Sequence, residues 1–377
     1  MRRWQRTEES LLETAASVDF LRRQNVSLRR ILITGGAGFL GSHLTERFRR
    51  SGIQVRLFDV AECPSWAHGP DIDYVRGDVC DRTVVAAALH GMDAVIHAAF
   101  ASPHQSAASI RRVNVDGTRI LCAEAFAAGR PRLVLISSTI VSRPRKVHPF
   151  LRNAPLSRLD LYRASRAEAE SVVSEFGSKG LSTAIVRPKT FLGPGRVSAF
   201  ALLFERIRLG QPAPVLGSGQ NRYQILDIRD MAAGVFLLAE AHANGIFFFG
   251  ARDFCTVRED LQTLLHHAQT GSRLQLIPGS LARMALRAME LGNLMPLSEW
   301  HYMSARGEDS VVDISRAEQE LEWRPEKSNA QALTEAYDWR LASIAATGAA
   351  RTTHPVPPAH RGLNRLSAIF HKRDRIA

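Results

Sequence analysis

Ile31-Leu32-Ile33-Thr34-Gly35-Gly36-Ala37-Gly38-Phe39-Leu40-Gly41-Ser42-His43-Leu44 decides the fold. An apolar, β-branched strand runs into a glycine-rich turn, and a helical pattern follows at once. Gly35 permits the tight exit from the strand, Gly38 lets backbone approach a pyrophosphate, and Gly41 lets the helix pack closely on the sheet. The first helical residues, Phe39 and Leu40, offer unpaired N–H groups at the positive end of the helix dipole. A glycine turn alone says little, but Asp59 also ends the next predicted strand, 18 residues after Gly41. Its carboxylate can accept from both adenosine ribose hydroxyls and would repel a 2′-phosphate, which favours NAD over NADP.

Outward from this turn, Arg30 to Pro188 alternates short β-branched runs with amphipathic stretches, the pattern of βα units feeding a parallel sheet buried on both faces. Strands are expected at Ile31–Thr34, Val55–Val60, Tyr74–Val75, Ala94–Ala98, Leu133–Ser137 and Ala184–Arg187. Helices are expected at about Leu40–Arg50, Arg82–Leu89, Ser106–Ala128 and Leu161–Glu175. The fold class is α/β, a Rossmann-type doubly wound parallel sheet with a smaller C-terminal substrate lobe. After Pro188, Gly193-Pro194-Gly195, Gly217-Ser218-Gly219 and the run Leu281–Leu294 read as loops and helices around a few late strands. Alternation resumes near Ile225–Ile228 and Ile246–Phe249, where the chain is expected to cross back toward the first sheet. The expected organisation is a basic extension over 1–29, a dinucleotide-binding domain over 30–188, a substrate lobe over 189–340 and a basic mobile tail over 341–377.

Composition agrees with this outline. At 377 residues, 45% hydrophobic and 23% charged, the chain is long enough for two domains and is not disordered throughout. Its apolar runs, such as Met231–Ala239, fall short of the roughly 18 residues of a membrane span, so no span is expected. Glu8, Glu9 and Glu13 stand where an export signal needs an apolar run. Cys63, Cys80, Cys122 and Cys255 show no disulfide framework, which suits a reducing, cytoplasmic setting. No His, Asp, Glu or Cys cluster has metal-ligand spacing, so no metal is expected. Of the net charge of +12, residues 1–30 supply +3 and residues 341–377 supply +5, leaving +4 for the central 310 residues. The excess sits in the ends without a helix-turn-helix, zinc or aromatic RNA-binding pattern, so a nucleic-acid partner is not expected.

Taken together, these segments resemble the extended short-chain dehydrogenase/reductases, also called the NAD-dependent epimerase/dehydratase family. Gly35, Gly38 and Gly41 match its G-x-x-G-x-x-G spacing. Gly77-Asp78-Val79 with Asp81 resembles its adenine-contacting segment, which implies that the Asp78 carboxylate accepts from the adenine amino group beside Val79. His97-Ala98-Ala99 resembles its H-x-A-A strand end, Asn114-Val115-Asp116-Gly117-Thr118 its N-x-x-G-T helix segment, and Ser137-Ser138-Thr139 its S-S-T strand end. Arg187-Pro188 and Gly193-Pro194-Gly195 resemble the approach to the substrate lobe, and Trp323, Pro325 and Trp339 the closing segment. The resemblance spans about residues 30–340 and implies NAD as cofactor, a small-molecule substrate and, as is common in the family, homodimers. His97, Ala98, Ala99 and Pro188 would line the cofactor, although a histidine ending an apolar strand is more often a packed ring than a base.

Removing hydride from a carbinol carbon requires a base for the hydroxyl proton, and a phenol serves near neutrality only when a cation stabilises its phenolate. Tyr162 and Arg166 stand at i and i+4, on one helix face. In the family the motif is Y-x-x-x-K, with the lysine activating the tyrosine and bonding the nicotinamide ribose. This chain has arginine, which keeps the charge but is planar and cannot give up its proton. Three outcomes stay open: an active enzyme, a slowed or specialised one, and a protein that binds NAD without turnover. Thr139 sits where the family places a hydroxyl on the reacting oxygen, with Ser138 beside it, and Asn114 would order a water or backbone near the catalytic helix.

Nucleotide-sugar relatives often place an arginine after the G-x-G loop to grip the diphosphate. Arg222 is one residue short of that register, and Ser142-Arg143-Pro144 stands where a V-Y-G triplet often follows. Arg222 and Lys189 could still meet an anionic group. The expected function is NAD-dependent hydride transfer at a hydroxyl-bearing carbon of a sugar or nucleotide sugar, by an oxidoreductase or epimerase. The alternatives are a hydroxysteroid or other small-carbonyl dehydrogenase, and a non-catalytic NAD-binding protein. Re-reduction on the opposite face gives epimerisation and release gives a dehydrogenase; the sequence does not choose between them.

Overall fold

The computed structural model describes residues 28–103, 105–142, 158–196, 200–241, 243–291 and 299–347. Its central sheet has seven parallel strands: β1 (Arg30–Thr34), β2 (Gln54–Asp59), β3 (Ile72–Arg76), β4 (Ala94–His97), β5 (Arg132–Ile136), β6 (Thr183–Pro188) and β10 (Gly245–Phe249). They lie in the order β3-β2-β1-β4-β5-β6-β10. The first six lie within two residues of their sequence-predicted limits, because each is a short apolar run bounded by turn residues. Alternate side chains of β1 feed opposite layers. Ile31 and Ile33 pack with helices α1 (Phe39–Arg49) and α7 (Ile228–Glu240), whereas Leu32 packs with α2 (Arg82–Leu89), α4 (Thr118–Ala127) and α5 (Arg158–Ser178). Each such side chain fully buried contributes about 1.5–3 kcal/mol, which is why these strands read as unbroken apolar runs.

The order reverses at β1, whose two neighbours are β2 and β4, so the chain leaves β1 and β4 toward opposite sides. A crevice opens there, outside the carboxyl ends of the strands, where ligands bind in such sheets. The predicted helix over Ser106–Ala128 is broken into α3 (Ala107–Arg111), a π-helical turn (Arg112–Gly117) and α4. Asp81, expected beside the adenine, caps α2 by accepting from the N–H groups of Thr83 and Val84.

The later chain builds the second lobe. There β7 (Thr190–Leu192) pairs with β9 (Ile225–Asp227), and β8 (Ala213–Leu216) pairs with β11 (Leu274–Ile277). Around them lie α6 (Ala201–Arg208), α8 (Val257–Ala268), α9 (Gly279–Leu291), α10 (Glu299–Arg306) and α12 (Asn329–Thr347), whereas α11 (Ser315–Leu321) packs on β10 and α7 of the main sheet. Their shared core holds Phe204, Tyr223, Leu261, Leu264 and Tyr337. Of the two runs expected to return to the first sheet, Ile246–Phe249 does so as β10 beside β6, and Ile225–Ile228 does not. The reason is local: the Asp227 carboxylate accepts from the Arg229 N–H and starts α7 at Ile228. The closing segment is latched to α7, where Asp230 accepts from the N–H groups of Glu326 and Lys327 and its carbonyl accepts from Trp323 Nε1. Trp323 then stacks on Phe249 of the main sheet at 4.4 Å. Helix α12 continues to Thr347, past the point where the mobile tail was expected to begin, because Leu333, Ala336 and Tyr337 anchor it in the second core. The basic ends, 1–27 and 348–377, lie outside the described residues. Among the described residues no helix is long and apolar enough to cross a membrane.

A side chain on Gly41 would collide with the Gly36 carbonyl oxygen, so helix and turn touch through backbone alone. Gly41→Ala is expected to cost about 1–3 kcal/mol, the usual range for overpacking. Urea denaturation checks this, and a wild-type midpoint would show that the turn can move aside.

Candidate functional site

At the crevice, Gly35 has φ +70°, and a Cβ there would stand 2.8 Å from the Ala98 carbonyl and 2.9 Å from the Ala99 nitrogen. The exits of β1 and β4 are thus packed backbone to backbone, which explains both the glycine and the small alanines. Helix α1 begins at Gly38 with no side-chain cap and no acidic residue in its first turn. Its first N–H groups, from Phe39 onward, have no intrahelical acceptor, and this open, positive helix end fits a pyrophosphate. Asp59 is half-buried at the end of β2, and its carboxylate accepts from the Ala37 N–H at 3.1 Å and the Ala61 N–H at 3.0 Å. Each oxygen keeps a lone pair for a ribose hydroxyl.

Asp78 follows β3. Its carboxylate accepts from the Cys80 N–H at 2.9 Å and from Arg112 at 2.7 Å. Burial pushes its pKa up, but these hydrogen bonds outweigh burial and hold it below the usual carboxylate range. Val79 is buried against Gly117, where any Cβ would overlap it. His97, expected along the cofactor, is instead wholly inside the sheet. Thr118 Oγ1 donates to the Asn114 carbonyl at 2.7 Å, so it must accept from His97 Nε2–H at 2.9 Å. Thr34 Oγ1 then donates to His97 Nδ1 at 2.7 Å. Both ring nitrogens are used, and the side chain has no face for a ligand. Burial, aided by the Arg166 charge, pushes the ring's pKa down to about 3.

Tyr162 and Arg166 meet on α5 as their spacing requires. Arg166 Nε and Nη2 both donate to the Tyr162 hydroxyl, at 2.9 and 2.6 Å, and Nη1 donates to the Ile136 carbonyl at 2.7 Å. The guanidinium lies 3.5 Å from the centroid of the Phe100 ring, a cation–π contact the sequence did not announce. Asn114, in the π-helical turn, accepts from the Ala101 N–H and donates to Ser165 Oγ, which donates to the Tyr162 carbonyl. Asn114 thus orders the backbone at Ala101 beside α5. Thr139 is buried at the start of a 3-10 turn (Thr139–Ser142) packed against α5, and Ser138 Oγ accepts from the Ile140 N–H at 3.3 Å.

A buried ion pair supports this corner. Arg187 donates through Nε and Nη2 to Glu170 and through Nη1 to Ser142 Oγ at 3.1 Å, while Ser137 Oγ donates to Glu170. Glu170 was missed, although it stands one turn beyond Arg166 and two beyond Tyr162 on the same face.

The two cations expected to meet a substrate anion are differently placed. Lys189 is buried, donates to Ser310 Oγ and sits 4.5 Å from the centroid of the Tyr223 ring. It is withdrawn from the crevice because Pro188 and Lys189 continue against β10, with the Lys189 N–H donating to the Phe249 carbonyl at 2.8 Å. Arg222 makes a forked contact with Asp309, at 3.0 and 2.8 Å.

Comparison with known proteins shows the family. The profile of the NAD dependent epimerase/dehydratase family matches residues 31–247. The chain belongs to the NAD dependent epimerase/dehydratase family. Like other members it is an enzyme that uses NAD. It is 35% identical over 324 residues to the uncharacterized protein y4nG of Sinorhizobium fredii, covering 85% of this chain and 81% of that one. It is 29% identical over 332 residues to the 3 beta-hydroxysteroid dehydrogenase/Delta 5-->4-isomerase of Mycobacterium tuberculosis, covering 82% and 89% of the two chains. Among solved structures, UDP-glucose 4-epimerase from Thermotoga maritima superposes with a TM-score of 0.65 at 20% identity, over 84% of this chain and 99% of that one.

His97 makes a pH signature. It is neutral when folded, whereas the unfolded chain takes up a proton below about 6.5. Its contribution is therefore complete above that pH and is lost as pH falls toward about 3. Between pH 6 and 4, stability should fall by about 1.4 kcal/mol per unit more in the wild type than in His97→Gln. Parallel urea curves for the two proteins would overturn this assignment.

Proposed function

We propose that this chain oxidises a secondary hydroxyl with NAD, using Tyr162 as the base. The observation that carries the proposal is the double donation from Arg166 to the Tyr162 oxygen. Two hydrogen bonds from the guanidinium fix the phenol oxygen that would take the hydroxyl proton. Of the five guanidinium N–H groups, three are used among the described residues, and one on each terminal nitrogen would reach ribose hydroxyls. The Thr139 hydroxyl would hold the reacting oxygen, and Asp59 the adenosine ribose. When bound, NAD supplies the hydride acceptor. The Asp78 carboxylate, oriented by Arg112, would receive the adenine amino group.

For the substrate we favour a sterol-like or other small hydroxy or oxo compound. Lys189 is buried and Arg222 is engaged with Asp309, so neither is ready to grip a diphosphate. The Mycobacterium tuberculosis relative, matched over 89% of its length, is named for such a substrate. Nucleotide sugars are the second reading, because the Arg222–Asp309 pair is about half exposed, is worth about 1 kcal/mol or less and could be exchanged for a phosphate. We also place the protein in the cytoplasm as a homodimer, since its four cysteines are free thiols and the family pairs commonly. Fractionation followed by sedimentation tests this; a membrane or periplasmic fraction, or a monomer-sized species alone, would refute it.

Tyr162→Phe should lower turnover by about 10²–10⁴-fold, the usual contribution of a general base. NAD affinity should stay within twofold. The assay follows reduced-nicotinamide absorbance against hydroxysteroids, small alcohols and nucleotide sugars, and undiminished turnover by the variant removes Tyr162 from the reaction.

A further inference from the structure

The glycine-rich turn offers a dinucleotide no side-chain cation. From Gly35 to Leu44 the only titratable side chain is His43, and burial lowers its pKa despite a raising hydrogen bond to Pro194. A helix end presents only about half a unit charge, while a dinucleotide pyrophosphate carries two negative charges. Arg47 and Arg49, further along α1, contact Ser51 and Asp71.

One arginine does face this region from the second lobe. Gly193-Pro194-Gly195-Arg196 forms a tight turn, closed by the Gly193 N–H on the Arg196 carbonyl at 3.2 Å and the Arg196 N–H on the Gly193 carbonyl at 3.0 Å. The turn is fastened to α1, because a carbonyl can only accept, so His43 Nε2–H donates to Pro194 O at 2.9 Å. His43 itself lies edge-on to Phe39, with ring centroids 5.1 Å apart. The Arg196 guanidinium carbon is 5.8 Å from the centroid of the Phe39 ring, and its charge interacts with Tyr162. The side chain lies deep enough among its neighbours for burial to lower its pKa, yet remains accessible to solvent, as expected of a group in a cleft. Among the described residues no carboxylate pairs with it, whereas Arg112, Arg187, Arg222 and Arg229 each have one.

We propose that Arg196 closes over the pyrophosphate of the bound dinucleotide, supplying from the second lobe the cation that the glycine turn lacks. The inference rests on the NAD site described above. Because the turn is pinned to α1 through His43, Arg196 is held in register with the helix end that receives the same phosphates. A guanidinium at this place can bond two phosphate oxygens at once, whereas an ammonium offers a point charge.

Calorimetric titration of the full chain with NAD, and separately with adenosine, which lacks phosphate, tests the proposal. Arg196→Gln should weaken NAD binding at least tenfold and Arg196→Lys by a smaller factor, with adenosine binding and the melting temperature unchanged. NAD affinity within twofold of wild type in Arg196→Gln would overturn the proposal and move the arginine to the substrate side. Equal weakening for adenosine would also overturn it, by showing a general disturbance of the site. If the wild type itself took up no NAD, the cofactor reading would fall first and this proposal with it.

Discussion

The backbone contact between Gly35 and the Ala98–Ala99 segment is the constraint from which the rest of the site follows. It brings the exits of β1 and β4 together at the reversal of the sheet order, and so fixes where a dinucleotide can lie. A chain of hydrogen bonds then carries that register to the reacting corner. Thr34 donates to His97, His97 to Thr118, and Thr118 to the Asn114 carbonyl; the Asn114 side chain donates to Ser165, and Ser165 to the Tyr162 carbonyl. Every link is buried or nearly so, where an unmade bond costs about 1–3 kcal/mol. The phenol is therefore positioned from the phosphate turn through the interior of the protein.

The exchange of lysine for arginine is accommodated by this surrounding rather than by the helix alone. A guanidinium is flat and needs somewhere to lie, and Phe100 provides a face for it while the Ile136 carbonyl takes its third bond. The Glu170–Arg187 pair, one turn further along the same helix face, braces the same end of β5 through Ser137. A lysine in this place would offer a point charge and no flat face to lie on the Phe100 ring.

Local spacing made much of this legible. The six early strands, the glycine turn, Asp59 and the Tyr162–Arg166 register all rest on neighbours within a few residues, which periodicity reports faithfully. What sequence could not place depends on residues far apart in the chain. The Arg222–Asp309 pair is not legible because its partners stand 87 positions apart. The burial of Lys189 is not legible because nothing local shows that the chain turns inward against β10. Phe100 and Arg196 acquire meaning only once the loops after β4 and β7 converge on α5 and α1. The Ile225–Ile228 run looked like a returning strand because its alternation is short and Asp227, the cap that ends it, resembles any other polar residue in a strand.

The widened turn at Arg112–Gly117 has a consequence for the chain's length. It inserts slack into an otherwise regular spiral, and that slack is what aims Asn114 at Ser165 while Gly117 and Thr118 still reach Val79 and His97. Deleting one residue would tighten the spiral to ordinary pitch, leaving the helix beyond it in phase but removing the slack that aims Asn114 at Ser165. The segment can therefore vary on its solvent side but not in its number of residues, and it works as a ruler between the sheet and the reacting helix.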